Sequence, residues 1–119
     1  MLTANQIRDL FEELDCSLKE QGEIGEIGIV GGAVMCLVFN AQESTKDVDA
    51  IFEPSKLIRK LVAVIGARHD LPLDWLNDAA KRFIHGEFRR TDVLNLPNLR
   101  VWAPDARYML AMKCISARW

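Results

Sequence analysis

The sequence lacks any apolar run close to the length of about 20 residues that a membrane-spanning helix requires. Its N-terminus alternates polar with apolar residues and has no signal-peptide pattern. Cysteine is scarce as well, since Cys16, Cys36 and Cys114 are the only three and show no Cys-x-x-Cys spacing. We therefore predict a cytoplasmic protein without a membrane partner, whose cysteines are reduced core residues rather than disulfide or zinc ligands.

The chain also lacks a basic excess: 15 lysines and arginines stand against 17 aspartates and glutamates, for a net charge of −2. This balance argues against a protein built mainly to hold a nucleic-acid backbone, and no DNA partner is expected. A local basic group comprises Lys81, Arg82, Arg89 and Arg90. We interpret it as a solvated helix face and loop, with an RNA-contacting patch as the alternative.

Length and hydropathy patterning indicate one α/β or α+β domain over residues 1–119, with a mixed sheet of three to five strands flanked by helices. Apolar residues with helical periodicity predict helices over 3–21, 33–39, 54–66 and 72–85, and a final helix that starts at 104–105. Apolar alternation and short apolar runs predict strands over 24–30, 46–52 and 99–103.

The most informative stretch joins a diglycine, Gly31 and Gly32, at a predicted strand-to-helix turn with Asp47 and Asp49 on the next apolar strand. Side chains two residues apart on a strand point to one face, so the two carboxylates are expected to project together. A diglycine before a helix lets backbone N–H groups approach a triphosphate, and the helix dipole favours the anion. The pattern predicts a metal-dependent nucleotide site. The plainer interpretations are a tight turn and two exposed carboxylates on an edge strand.

Thr45 and Lys46 directly precede the two aspartates. Thr45 shares the strand parity of Asp47 and Asp49 and is therefore expected to reach the same site. Lys46 points the other way unless the strand begins after it.

This arrangement resembles the nucleotidyltransferase fold, and within it the small bacterial nucleotidyl transferase-like proteins and the toxin half of abortive-infection systems. Those proteins carry Gly-Gly or Gly-Ser, an apolar helix, and then Thr-Lys-Asp-hydrophobic-Asp on the next strand. Fourteen residues separate Gly32 from Asp47, and Tyr108 to Lys113 resembles a later helix of the same group. The residues that match the first pattern are Gly31, Gly32, Thr45, Lys46, Asp47 and Asp49.

The resemblance implies transfer of NMP from an NTP to a hydroxyl of an RNA or protein acceptor, in a toxin–antitoxin context with an antitoxin as partner. Asp47 and Asp49 would be the catalytic carboxylates and the ligands of Mg²⁺, with a two-ion site as the full arrangement. The diglycine backbone would receive the β- and γ-phosphates, and Lys113 would offset phosphate charge. The residues implied at the nucleotide are Gly31, Gly32, Thr45, Lys46 and Lys113.

The chain departs from the family pattern at the third carboxylate, which relatives usually carry on a later strand. Residues 99–103 read Leu-Arg-Val-Trp-Ala and offer none, while Asp92 and Asp105 are the nearest loop candidates. The chain also stops soon after the Lys113 helix, which suggests a form shortened at its C-terminus. Two alternatives therefore stay open: a catalytically degenerate member that binds nucleotide and metal, and a homo-oligomeric interaction module.

Overall fold

The computed structural model describes residues 1–82 and 89–105. Three α-helices and one 3₁₀ helix lie in these ranges: α1 (Ala4–Glu20), α2 (Gly32–Leu37), α3 (Ser55–Arg68) and the 3₁₀ helix Ala79–Arg82. The strands are β1 (Leu2–Thr3), β2 (Gly25–Val30), β3 (Ser44–Thr45), β4 (Val48–Glu53), β5 (Leu76–Asn77), β6 (Arg90–Asn95) and β7 (Leu99–Pro104).

Five strands form one mixed sheet in the order β5-β4-β2-β7-β6, and β1 pairs with β3 in a separate two-stranded sheet. The central strand β2 runs antiparallel to β4 and parallel to β7. Helices α1 and α3 contact each other and pack on the sheet. The predicted class, a mixed sheet of up to five strands flanked by helices, is confirmed.

Helix α1 begins with a reciprocal cap. The Gln6 backbone N–H donates to Thr3 Oγ1 at 3.2 Å, and the Thr3 backbone N–H donates to Gln6 Oε1 at 2.9 Å. Two of the N–H groups that a helix start leaves without partners are thereby satisfied. The predicted apolar stripe of α1 is buried as expected, and it consists of Ile7, Leu10, Phe11, Leu14 and Leu18.

Helix α1 is tied to the end of α3 by a charged cluster. Glu13 accepts hydrogen bonds from Arg68 at 2.8 Å and pairs with His69 Nε2 at 2.5 Å. Partial desolvation raises the pKa of the Glu13 carboxyl, but the hydrogen bonds and charges of His69 and Arg68 outweigh it, so the pKa lies below its ordinary value. This carboxylate therefore favours the native packing of the two helices at neutral pH.

The two faces of the five-stranded sheet differ in chemistry, because residues opposite one another in neighbouring strands share a face. The apolar face consists of the buried side chains of Ile27, Ile29, Ala50, Phe52, Leu99, Val101 and Ala103. A Cβ added to Gly25 on this face would lie 2.9 Å from Leu18 of α1 and 3.1 Å from Ile58 of α3. The helices therefore cover the apolar face closely.

The other face, which we call the polar face, carries the charged and amide side chains of the sheet. Its members are Glu26, Asp49, Ile51, Glu53, Asn77, Arg90, Asp92, Asn95, Arg100 and Trp102, together with Gly28, Val30 and Pro104. A Cβ on Gly28 would lie 2.3 Å from the six-membered ring of Trp102, so the indole lies directly on the backbone of β2. The guanidinium of Arg90 lies 4.1 Å above the same indole.

The helix predicted over 72–85 is wrong for the part that the structure describes. Residues 76–77 form β5 and residues 79–82 a 3₁₀ helix, while 83–88 lie outside the described ranges. Trp75 is buried and donates from Nε1 to the carbonyl of Val62 at 2.9 Å, and its own carbonyl accepts from Val48 N–H at 2.7 Å. Pairing with β4 therefore replaces the helical hydrogen bonds of this segment.

Three smaller expectations also differ from the structure. Helix α2 ends at Leu37, and Val38 and Phe39, predicted as parts of a helix buried all round, are exposed. Cys36 is buried as predicted, whereas Cys16 is exposed on α1 because it lies off the apolar stripe. Burial raises the pKa of the Cys36 thiol, and a hydrogen bond with Gln42 only partly offsets this effect. The raised pKa keeps the thiol neutral. Cys114 and the predicted final helix lie outside the described residues.

Candidate functional site

The diglycine turn and the two aspartates meet at one end of the sheet. In the antiparallel pair of β2 and β4, Val30 is opposite Asp49. Gly31 and Gly32 directly follow Val30, and Asp47 directly precedes β4. The register thus brings together residues that stand fourteen or more positions apart in the sequence.

Gly31 forms the turn from β2 into α2. Its φ of 64° and ψ of −137° lie in a region that essentially only glycine adopts. Its carbonyl accepts hydrogen bonds from the N–H groups of Val34 at 3.1 Å and Met35 at 3.2 Å. The N–H groups of the next two residues, Gly32 and Ala33, open the helix and have no acceptor within it.

Gly32 has a different requirement, which is the closeness of Thr45. A Cβ at Gly32 would lie 2.4 Å from Thr45 Oγ1 and 3.1 Å from Thr45 Cβ. Both glycines are thus needed for the fold of this turn, in which Gly31 is buried and Gly32 is half-buried. Helix α2 spans six residues, so the macrodipole that the sequence led us to expect is a minor contribution here.

Thr45 positions the segment that carries the first aspartate. It is buried in β3 opposite Leu2 of β1, and its Oγ1 donates to the carbonyl of Asp47 at 3.1 Å. The predicted continuous strand from Lys46 is wrong, because β3 ends at Thr45 and β4 begins at Val48. Strand parity therefore does not apply to Thr45. Its role is to hold the turn next to Gly32, and Lys46 is exposed in that turn.

The two aspartates are half-buried at the start of β4. Asp49 lies on the polar face, between Val30 of β2 and Asn77 of β5. Asp47 lies in the turn before β4, where the Thr45 hydroxyl holds its backbone carbonyl, so the alternation of a strand does not orient its side chain. The sequence placed both residues on one strand, and the structure instead separates a loop carboxylate from a strand carboxylate.

Asn77 was missed in the sequence because its segment was predicted as helix. In the parallel pairing of β4 and β5, Asn77 lies directly beside Asp49. Neighbours at this position share a face, so the carboxamide stands on the same side of the sheet as the Asp49 carboxylate. A short Leu-Asn segment gives no periodic signal of its own, and only the pairing identifies it.

The donor chemistry at this end of the sheet suits a hard divalent cation. Carboxylate and amide oxygens are the ligands that Mg²⁺ prefers, with water or phosphate oxygens in its remaining positions. Within residues 1–82 and 89–105, no group of three or more histidine, cysteine, aspartate or glutamate side chains is arranged to hold a metal. Asp47, Asp49 and Asn77 are the candidate oxygen donors at this end of the sheet, and a cation held by them would need further oxygens from water or a phosphorylated ligand.

Lys113, the lysine that the resemblance places at the nucleotide, lies outside the described residues. From the basic group, Lys81, Arg89 and Arg90 are exposed. Lys81 and Arg90 also line a cavity on the polar face. Asp92 lies on β6, and Asp105 directly follows β7. Strand β2 separates both of these strands from β4 in the sheet.

Comparison with protein-family models, with curated protein sequences and with solved structures found no match to this chain. The interpretation of the site therefore depends on its own residues and their geometry. Among the described helices, none is long and apolar enough to cross a membrane.

Proposed function

We propose that this chain is a metal-dependent nucleotidyltransferase that moves NMP from an NTP to a hydroxyl of an RNA or protein acceptor. The observation that supports it best is the pairing of Val30 with Asp49, because it sets the diglycine turn beside the carboxylates. Phosphate groups and their cation are bound by backbone N–H groups at a helix start and by acidic oxygens, and this register brings the two kinds of group together. A toxin–antitoxin role, with an antitoxin as partner, rests on the family resemblance alone.

Each residue of the site has a defined task in this proposal. Asp47 and Asp49, with Asn77 beside them, would hold Mg²⁺, which when bound neutralises phosphate charge and activates the attacking hydroxyl. The backbone of Gly31 and Gly32 would receive the β- and γ-phosphates. The acceptor oxygen forms a bond to the α-phosphorus, the bond from that phosphorus to the bridging oxygen breaks, and pyrophosphate leaves on the diglycine side. The hydroxyl proton passes to water.

One observation favours a second candidate, a member of the fold that binds nucleotide and metal without turnover. The side chain beside Asp49 on β5 is the amide of Asn77, and the part of the chain that the structure describes holds no third carboxylate at the pair. An amide oxygen binds a cation more weakly than a carboxylate, because it carries no net charge. Binding would then persist while catalysis is slow or absent.

Isothermal titration of ATP, GTP, CTP and UTP, with and without Mg²⁺, tests the site. The variant Asp47→Asn with Asp49→Asn should lose Mg²⁺-dependent binding, and Asn77→Ala should weaken it. A matched control is Asp9→Asn with Asp74→Asn, which removes the same charge from two exposed positions. Absence of binding by all four nucleotides to the unmodified chain would contradict the proposal.

Transfer is tested separately, by incubation with NTPs labelled at the α-phosphate and with RNA or protein from a cell extract. Incorporation that depends on Mg²⁺ and is lost in the double aspartate variant supports the transferase. Binding without incorporation into either class of acceptor favours the degenerate member.

A further inference from the structure

A cavity of about 250 Å³ opens on the polar face of the sheet. Its floor includes Ile51 and Glu53 of β4 and Glu26 of β2, and its wall includes Trp102 and Arg90. The cavity is smaller than the ~300–1,000 Å³ of typical ligand sites, so it has room for one part of a small molecule. Most of its lining residues are polar or charged, and they include Asp78 and Lys81 as well as the two glutamates and Arg90. The nucleotide site described above does not account for the cavity.

The cavity continues the line along which a nucleotide would extend. Ile51 is two residues and Glu53 four residues beyond Asp49 on β4, about 7 and 14 Å along a strand that rises about 3.4 Å per residue. The diglycine turn lies at the opposite side of Asp49, because it follows Val30. The order along the sheet is diglycine, aspartates, cavity. An NTP has the same order of β- and γ-phosphates, α-phosphate and nucleoside.

The wall of the cavity offers a flat surface for a base. Trp102 is 6% exposed, with Gly28 under its six-membered ring and the Arg90 guanidinium 4.1 Å above the indole. The indole is therefore fixed, and it holds an exposed guanidinium in place by a cation–π contact. Bases stack on guanidinium planes as they do on aromatic rings.

The floor carries two carboxylates that face each other. Glu26 and Glu53 are directly opposite in the antiparallel register, and both are exposed. Like charges at such positions destabilise a strand pair, and a ligand that donates hydrogen bonds would relieve the repulsion. Arg100, the neighbour of Glu26 on β7, donates from its guanidinium to the carbonyl of Leu96. A carboxylate only accepts hydrogen bonds, so the two glutamates favour a ligand that offers donors to them. Lys81 and Arg90 also line the cavity and can donate to acceptor atoms of the same ligand, while Asp78 pairs with Arg59.

Guanine is the base that offers two adjacent donors, N1–H and the N2 amino group, on its Watson–Crick edge. A carboxylate accepts both in a bidentate, charge-assisted pair, whereas adenine, cytosine and uracil each present one donor group there. We propose that this cavity holds the nucleoside half of the nucleotide, and that Glu26 or Glu53 selects guanine. The inference rests on the proposed function, because it places the phosphates of the same molecule at the diglycine.

Titration of GTP, ITP and ATP in the presence of Mg²⁺ tests the selection. ITP keeps N1–H but lacks the N2 amino group. GTP should bind roughly 10- to 100-fold more tightly than ATP, with ITP between them. Glu53→Gln or Glu26→Gln should reduce GTP affinity to that of ATP and leave ATP affinity unchanged, because an amide cannot accept both hydrogen bonds. Glu20→Gln, an exposed change of equal charge on α1, is the control.

A second variant separates stacking from hydrogen bonding. Arg90→Gln should weaken all three nucleotides by a similar factor of about ten, because stacking does not discriminate between bases. Unchanged thermal unfolding of each variant confirms that the loss is local.

Failure of the inference differs from failure of the proposed function. Equal Mg²⁺-dependent affinity for all nucleotides, unaffected by the Glu26 and Glu53 variants, would overturn the base selection and leave the phosphate site standing. Absence of Mg²⁺-dependent binding by any nucleotide would overturn both. Loss of binding in Asp49→Asn together with an ATP preference would also reject the guanine assignment while supporting the site.

Discussion

The apolar face and the polar face of the five-stranded sheet are built from alternate residues of the same strands. Along β4, Val48, Ala50 and Phe52 are buried under the helices, while Asp49, Ile51 and Glu53 stand on the other side. The first set contributes burial of apolar surface and thus most of the folding free energy. The second set contributes charge, hydrogen-bonding groups and a cavity. One strand thus contributes alternate residues to the hydrophobic core and to the candidate site.

The largest expected difference between the faces concerns matched isoleucines on neighbouring strands. Ile29 of β2 is fully buried on the apolar face, and Ile51 of β4 is half-buried on the polar face. Ile29→Ala should lower the free energy of unfolding by about 2–5 kcal/mol. Ile51→Ala should lower it by about 1 kcal/mol. Urea denaturation measures both, and equal losses would show that the polar face is also part of the core.

The next effect concerns the diglycine turn between β2 and α2. Gly32→Ala should cost about 1–3 kcal/mol, because the new Cβ would overlap Thr45 Oγ1. Thr45→Ala in the same chain removes that hydroxyl and should restore part of the loss. In Gly31→Ala the cost arises from the positive φ, so Thr45→Ala should give no recovery there. Denaturant unfolding of the four variants forms the test, and equal recovery in both backgrounds would contradict the contact.

A smaller effect is expected over the apolar face, where Glu13 connects α1 with α3. Its pKa is lowered in the folded state, so its contribution is present above the pKa of the unfolded chain and is lost as the pH falls through the folded value. Glu13→Gln should cost up to about 1 kcal/mol at pH 7 and nothing at strongly acidic pH. Thermal unfolding against pH measures the difference. Glu12→Gln, an exposed neighbour, should show less pH dependence.

The smallest effect on the free energy of unfolding is expected for the two aspartates, whose substitution should have the largest effect on Mg²⁺-dependent nucleotide binding. Asp47→Asn with Asp49→Asn should change the free energy of unfolding by no more than about 0.5 kcal/mol, or raise it slightly, since two neighbouring negative charges are removed. Denaturant unfolding at low ionic strength is the measurement. A loss of several kcal/mol in the free energy of unfolding would instead show that the pair has a structural role, and that the polar face also contributes to stability.

The elements that the sequence predicted well are those with strong local signals. The capping box and the apolar stripe of α1 lie within one segment, and the diglycine and the pair Asp47 and Asp49 are recognisable from their neighbours. The missed elements lack such signals. Strand β6 lies at the edge of the sheet and reads Arg-Thr-Asp-Val-Leu-Asn, with charged and polar residues where alternation would be expected. Edge strands commonly carry charge, which hides their periodicity.

The candidate site divides in the same way. Its residue types and the glycine requirement at Gly31 are local properties. The break between β3 and β4, which turns Thr45 into a support for Asp47, depends on pairing with β1. The position of Asn77 beside Asp49 depends on the pairing of β5 with β4. The wall of the cavity depends on the packing of Trp102 against Gly28. Each of these contacts joins segments separated by many residues.

The sequence by itself determined which side chains are apolar, where α1 begins, and that a flexible turn is followed by two carboxylates. Those properties follow from local sterics, hydrogen bonding and hydrophobic periodicity. The tertiary structure alone decided that Asp49 lies between Val30 and Asn77, and that Glu26 lies directly beside Glu53 in the lining of a cavity. The physical reason is strand register, which is fixed by hydrogen bonds between distant segments and by burial of one face of the sheet.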